Sequence, residues 1–471
     1  MIGTIAWKSL VAHPVRTAVL SVGFGLGVGV MATLLGVGEV VLEQARAPAL
    51  AGGGDVVVTG ISGSVTSARF VLDALAKRGR ESFSPAASDG PFPPQNDSRP
   101  LFAASPRRRA DLFLVRPGGI VPVLAKGGIP SLERALGNPE TAGVEAWLDT
   151  PADAAWTSPD PGDTLRAMDR FHPVPDVPAR ADSWAEWLYF KGRSGEVQFY
   201  VTFLAGPQRP GGRRAAGVRL QLDRGGRVTT HSESVEIDEA TLLASAPDLT
   251  IGGSRVRLEG LRYHLTLGLP DAAGDIVIEA PPGRSLPPFA IRGAGGWVSG
   301  YVVPVTSGTL AGSLTVGGQS ITLAGTSYHD HNWGFWKGVS WRWGQVQHEG
   351  LSYVYGRIYP PADAADPERL PALLVAVGPD GPVAFSRRVT ITETDDPATG
   401  MPRRILVRGR GGDLDLEMDI EAESAIVTRG GPLAGGPDFL QLRVRYHVTG
   451  EVGDQKIDFT APGAAETFRG R

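Results

Sequence analysis

The stretch Ser327 to Trp336 reads Ser-Tyr-His-Asp-His-Asn-Trp-Gly-Phe-Trp. Five groups that hydrogen-bond or titrate (Tyr328, His329, Asp330, His331 and Asn332) run directly into an aromatic cluster. Four of the chain's ten tryptophans lie between Trp333 and Trp343. That mixture suits a cavity with apolar walls and a few placed polar groups. If Tyr328 to Trp333 is a strand, its side chains alternate between faces. Tyr328, Asp330 and Asn332 then share one face, and His329, His331 and Trp333 share the other.

The two faces suit different chemistry. His329 and His331, two residues apart on one side, have a spacing that can chelate. Zinc would need a third protein ligand, for which His348 or Glu349 are the candidates. Local spacing fixes neither, so no metal and no cofactor is expected, and the histidines read better as buried rings bonded to backbone carbonyls. On the other face Asp330, flanked by Tyr328 and Asn332 among aromatic rings, would be desolvated. Burial raises a carboxyl's pKa, so the group keeps a proton near neutrality and can donate it. Trp297, Trp333, Trp336, Trp341 and Trp343 supply ring faces that stabilise a developing carbocation. An acid with such a lining is equipment for protonating an alkene. Capture of the cation by water makes a hydratase, and internal capture makes a cyclase. The competing structural role for Asp330 is to accept backbone N–H bonds and tie strands together.

The elements that must position these residues are strands. From Ser183 onward short alternating stretches follow at close spacing, among them Val197–Phe203, Gly217–Leu222, Tyr263–Leu267, Trp341–Val346, Tyr353–Ile358, Leu414–Ile420 and Leu442–Val448. Period-2 alternation with turn residues between runs predicts an antiparallel sandwich or barrel. The segment is too long for one small barrel, and two packed β-domains, 183–338 and 339–465, are expected. Upstream, residues 43–182 read as a mixed region. It holds a Pro-rich linker at 79–109, a strand-turn-strand within Asp111–Ala125 and a loop-rich stretch at 151–178.

Thr17 to Gly38 carries no charged residue. Its 22 residues would span roughly 33 Å as a helix, enough for a hydrocarbon core of about 30 Å. The basic segment 1–16 precedes it and Glu39 and Glu43 follow. This predicts a single-pass anchor at 17–42, a cytoplasmic tail, and the bulk of the chain on the periplasmic side of an inner membrane. The 471 residues are 42% hydrophobic and 20% charged, as in globular proteins, and the net charge of −4 argues against nucleic acid as the main partner. The chain has no cysteine, which excludes disulfides, thiolate metal sites and cysteine nucleophiles.

Two resemblances bear on these expectations. Ala6-Trp7-Lys8-Ser9-Leu10, His13-Pro14-Val15-Arg16-Thr17 and the Gly-rich span resemble the opening of MacB/FtsX-type ABC-transporter permeases, over roughly the first 60 residues. Such permeases have further membrane helices that this chain lacks, and there is no phosphate-binding G-x-x-x-x-G-K-[ST]. The resemblance implies association with ABC-transporter permease and ATPase subunits, not identity with either. The second covers about Ser183 to Phe459. Tyr328-His329-Asp330-His331-Asn332-Trp333-Gly334, Trp187-Leu188-Tyr189-Phe190-Lys191-Gly192 and Gly338-Val339-Ser340-Trp341-Arg342-Trp343-Gly344-Gln345 resemble carotenoid 1,2-hydratases (hydroxyneurosporene synthases) and AttH-like proteins. It implies two tandem lipocalin-like antiparallel β-barrels that meet at the signature. It also implies an apolar lipid or isoprenoid as partner, and Asp330 as proton donor supported by Tyr328. The hydratases' upstream His-x-Trp pair is replaced here by Tyr301-Val302-Val303. Two readings therefore stand side by side: a membrane-anchored lipid-binding subunit beside an ABC exporter, and a hydratase- or cyclase-type enzyme.

Overall fold

The structure, a computed structural model, describes residues 104–468 apart from short internal gaps, the longest at 429–438. The expected anchor at 17–42, the permease-like start and most of the Pro-rich linker lie outside the described residues. Among the described residues no helix is long and apolar enough to cross a membrane. The chain divides into two compact units, whose described parts begin at residues 104 and 159. In the first, β1 (Arg108–Arg116) and β2 (Gly119–Gly127) form an antiparallel hairpin, followed by the short helices α1 (Pro130–Ala135) and α2 (Ala154–Thr157).

The second unit is mainly β and holds two nearly closed, barrel-like sheets. The first contains β3 (Trp184–Ser194), β4 (Val197–Arg209), β5 (Arg213–Arg224), β6 (Arg227–Asp238), β7 (Leu249–Ile251), β8 (Ser254–Glu259), β9 (Arg262–Leu269), β10 (Ala272–Glu279), β11 (Leu286–Arg292), β12 (Val298–Val316) and β13 (Gln319–Phe335). Its strands run in the order β6-β5-β4-β3-β13-β12-β10-β9-β8-β7, with β11 also on β12. Glu233 on edge strand β6 accepts the Gly253 backbone N–H at the β7–β8 turn at 2.9 Å, drawing the two edges together. The second sheet contains β14 (Ser340–His348), β15 (Leu351–Tyr359), β16 (Leu373–Gly378), β17 (Gly381–Ser386), β18 (Arg388–Asp395), β19 (Pro402–Arg410), β20 (Leu414–Thr428), β21 (Phe439–Val452) and β22 (Gln455–Phe468). Its order is β17-β16-β15-β14-β22-β21-β20-β19-β18.

Strict alternation explains both sheets. On β9, Tyr263, Leu265, Leu267 and Leu269 are buried while Thr266 and Gly268 between them are exposed. The inward sets meet in two separate cores. One contains Leu188, Phe190, Phe199, Val201, Phe203, Val218 and Leu220, and the other Tyr353, Leu374, Val407, Met418 and Val444. Both barrel interiors are thus packed with side chains. The outward faces of the two barrels meet in a third cluster, where Tyr189, Tyr200, Leu286, Val303 and Tyr328 pack on Trp343, Val354, Val375, Val377, Ile426 and Ala464.

The stretch 151–178, read as loop from the sequence, contains α3 (Pro161–Met168). Asp160 caps it by accepting the Asp163 backbone N–H at 2.9 Å, and Pro161 occupies the first turn. Both are ordinary helix-start residues. The helix buries Leu165 and Met168 against the first core and delivers Asp169, its C-cap, into that core.

Candidate functional site

Strand β13 has the two faces expected of it, and they reach different places. Its register with β3 pairs Asp330 with Tyr189, Asn332 with Trp187 and Tyr328 with Lys191. Tyr328, Asp330 and Asn332 turn outward from the first barrel, while His329, His331 and Trp333 turn inward.

The inward face is a closed polar knot within an aromatic core. His329 places Nε2 at 3.0 Å from Asp169 Oδ2 and Nδ1 at 3.0 Å from the Tyr189 carbonyl. Tyr263 donates its hydroxyl to the same Asp169 oxygen at 2.6 Å. His331 places Nε2 at 2.9 Å from Glu186 Oε1 and Nδ1 at 3.1 Å from the Met168 carbonyl. His172 meets Glu186 Oε1 through Nδ1 at 2.7 Å and stacks on Trp333 at 4.3 Å. Burial pushes the Glu186 carboxyl up, but the bonds from His172 and His331 outweigh it and hold the group below the usual range. Each of His329 and His331 has a hydrogen-bond partner at both ring nitrogens, which fixes the orientation of each ring.

The sequence offered His348 or Glu349 as the third metal ligand for the histidine pair, and neither belongs to the cluster that His331 joins. The fold brings one acid and one ring to His331, so that His172, Glu186 and His331 have ligating atoms within 4.8 Å of one another. The closest of those atoms are already spent on direct hydrogen bonds to each other. Trp297 and Trp333, expected among the ligand-binding rings, lie in the same core. Trp297 donates Nε1 to the Phe335 carbonyl at 2.9 Å. His329, His331, Trp297 and Trp333 therefore do not face the cavity described next, because strand parity and core packing turn them away from it.

The outward face opens on a cavity of about 760 Å³ at the seam between the barrels. Of the residues singled out in the sequence, it brings together Asp330, Asn332, Tyr301, Trp336, Trp341 and Trp343. Tyr328 stands behind Asp330. A relay of donors converges on the acid. Trp343 Nε1 donates to Tyr301 at 2.9 Å, the Tyr301 and Tyr328 hydroxyls meet at 2.7 Å, and Tyr328 donates to Asp330 Oδ2 at 2.9 Å. Asn332 Nδ2 donates to Asp330 Oδ1 at 2.8 Å. Burial, reinforced by the Glu466 charge, drives the Asp330 carboxyl well above its ordinary range, against the pull of the Tyr328 and Asn332 bonds. Each oxygen accepts one bond from the protein. Burial and the Asp330 charge push the Tyr301 and Tyr328 hydroxyls up too, so both remain protonated donors.

The rings form a continuous wall. Trp187 lies 4.7 Å from Trp336 and 6.4 Å from Trp341, and Trp341 stacks on Phe468 at 4.1 Å. Tyr301 stands at the offset where the resembled hydratases carry histidine, and its hydroxyl completes the relay.

Three cavity residues escaped the sequence reading. Glu466, on β22 of the second barrel, is 9% exposed, and its Oε1 has no hydrogen bond. Burial raises its carboxyl to about 7, with the Tyr189 hydroxyl, the Trp341 indole and the Lys191 ammonium opposing. Tyr189 lines the same wall and accepts a bond from Gln441 Nε2 at 2.8 Å. Arg219 lines it from β5. Behind the wall, Lys191 donates to Gln345 Oε1 at 2.7 Å, and burial lowers its ammonium to about 7 despite the attraction of Glu466. No local motif marks Glu466, which lies 136 residues after Asp330. Only β22, the last strand in the chain, brings the two acids to one space.

No family model matches the chain, and no curated protein matches its sequence. Among solved structures it is similar to an AttH-type protein from Nitrosomonas europaea, at 15% identity and a TM-score of 0.45, over 63% of this chain and 99% of that one. It is similar to kievitone hydratase from Nectria haematococca at 13% identity and a TM-score of 0.42, over 63% and 93%. It is also similar to CghA with Sch210972 at 11% identity and a TM-score of 0.42, over 64% and 94%.

Proposed function

We propose that the seam cavity takes an apolar, unsaturated small molecule of the isoprenoid kind and that Asp330 protonates it, as a hydratase or a cyclase does. One observation carries this reading: a buried carboxyl, raised by its surroundings and aimed by Tyr328 and Asn332, faces an aromatic cavity. In the step, the Asp330 O–H bond breaks and its proton forms a C–H bond with the alkene π pair, leaving a cation on the neighbouring carbon. Trp341, Trp336 and Trp187 face that charge with their rings. In hydration a water oxygen adds to the cation and returns its surplus proton to the Asp330 carboxylate. In cyclisation a second π bond adds, and an adjacent C–H gives its proton back. Neither route consumes an oxidant or a reductant.

Asp330→Asn tests it. The amide keeps the shape and one of the two acceptor oxygens that take the Tyr328 and Asn332 bonds, and it has no acid proton. Turnover of unsaturated isoprenoids, followed by mass spectrometry, is expected to fall by about 10²–10⁴-fold, the usual worth of a general acid. Co-purifying or added ligand stays bound. Wild-type protein that retains ligand without converting any, and a variant that still supports export, would instead favour the carrier reading. That reading is motivated by the permease-like start and by the absence of the His-x-Trp pair. Attachment through residues 17–42 and association with an ABC exporter belong to it as proposals, tested by membrane fractionation and co-purification.

A further inference from the structure

The register of the first barrel lays out one lateral row across its outward face. Asp330 on β13 pairs with Tyr189 on β3, Tyr189 with Thr202 on β4, Thr202 with Arg219 on β5, and Arg219 with Ser232 on β6. All five residues line the seam cavity. Three strand spacings separate Asp330 from Arg219, about 14 Å between their Cα atoms.

Arg219 stands apart from the other half-buried guanidiniums of this cavity. Arg342 is paired with Glu393 at 3.1 Å and Arg357 with Glu368 at 2.9 Å. Arg219 is half-buried and, among the described residues, has neither a carboxylate partner nor a hydrogen bond. Burial alone displaces its guanidinium, downward, with no nearby acid in opposition. A cation withdrawn from water without a counter-charge is costly to the fold unless something else supplies the charge. The neighbouring Thr202 and Ser232 hydroxyls add neutral hydrogen-bonding groups, and Ser232 is exposed, so this end of the row meets solvent.

We infer that Arg219 holds the carboxylate of the ligand, so that the substrate is an apolar acid. Its charged end rests on β5 near the cavity mouth, and its unsaturated body lies along the row toward Asp330 and the tryptophan wall. The inference rests on the seam cavity being the ligand site. One guanidinium flanked by hydroxyls matches a monoanion in bidentate geometry. The anchor would fix which double bond reaches Asp330, making Arg219 a positioning residue and not a proton donor.

Calorimetric titration with two matched pairs, retinoic acid with retinol and farnesoic acid with farnesol, tests it on the full-length protein. Wild type is expected to prefer at least one acid over its alcohol by about tenfold or more, the scale of a charge-assisted bond. Arg219→Gln should erase that preference, and Arg219→Lys should restore part of it. Equal binding of acid and alcohol by wild type, or a preference that survives Arg219→Gln, overturns the carboxylate anchor alone. Failure of all four molecules to bind overturns the cavity reading as well.

Discussion

Asp330 and Glu466 are two carboxyls driven upward by one cause, withdrawal from water into the same seam, and the Glu466 charge raises Asp330 further. The effect on stability has a definite sign. Glu466 titrates near 7 in the fold but near 4.5 in an open chain, so folding retains a proton that the unfolded chain has lost. Its contribution falls as pH rises from about 4.5 to about 7. Lys191 runs the other way. Its pKa drops from 10.5 to about 7 on folding, so stability recovers as pH rises above 7. The wild type should therefore show a shallow stability minimum near neutrality. Glu466→Gln removes the acidic limb. Its gain over wild type should be near zero at pH 4 and on the order of 2 kcal/mol at pH 8, read from denaturant titrations. A gain that is the same at both pH values would show that Glu466 carries no charge penalty. Asp330 was legible in the sequence because its polar and aromatic neighbours are adjacent in the chain. Glu466 and Arg219 were not, because each is a single charged residue in an alternating strand, and its meaning depends on which sheet lies opposite.

At the scale of elements, β13 does two jobs by parity. Reading Tyr328 to Trp333 as a strand was enough to separate the acid from the histidines. It also favoured buried histidines bonded to backbone carbonyls, which His329 and His331 are, but not their acidic partners Asp169 and Glu186, which come from the end of α3 and from β3. The segment that delivers Asp169 reads as loop in the sequence, although Asp160-Pro161 is a helix start. Close packing also dictates small residues opposite the large ones. Gly300 on β12 pairs with Trp333, and a Cβ there would lie 2.0 Å from the indole. The ring lies over the glycine and is held by the stack with His172. Gly300→Ala should therefore lower stability by about 1–3 kcal/mol, the usual cost of overpacking. It should also raise the unfolding rate and loosen the Trp333 environment, seen as a change in near-ultraviolet circular dichroism. An unchanged melting temperature would mean that the core gives way more easily than the contact allows.

For the whole molecule, alternation and segment length called for two β-domains, and the second unit holds two barrel-like sheets. That a cavity lies between them could not be read from periodicity, which does not say whether a barrel is hollow. Here the interiors are filled. The barrels are joined by an apolar interface and by cross-links such as Lys191–Gln345 and Gln221–Thr428, the latter at 3.0 Å. Val303, fully buried in that interface, is the point at which to separate them. Val303→Asp puts an unpaired carboxylate in an apolar seam. It is expected to split a single calorimetric transition into two and to abolish ligand binding. One transition with binding intact would mean that the interface contributes little.

A ligand held in a barrel's lumen leaves only through an open end or by disrupting the strands that enclose it. A ligand held at a seam between two filled barrels can leave when the two bodies part slightly, with every ladder bond intact. Exchange would then be governed by rigid-body breathing on the microsecond-to-millisecond scale, and release would be uncoupled from unfolding. Such a molecule can be hard to melt and still quick to surrender its product.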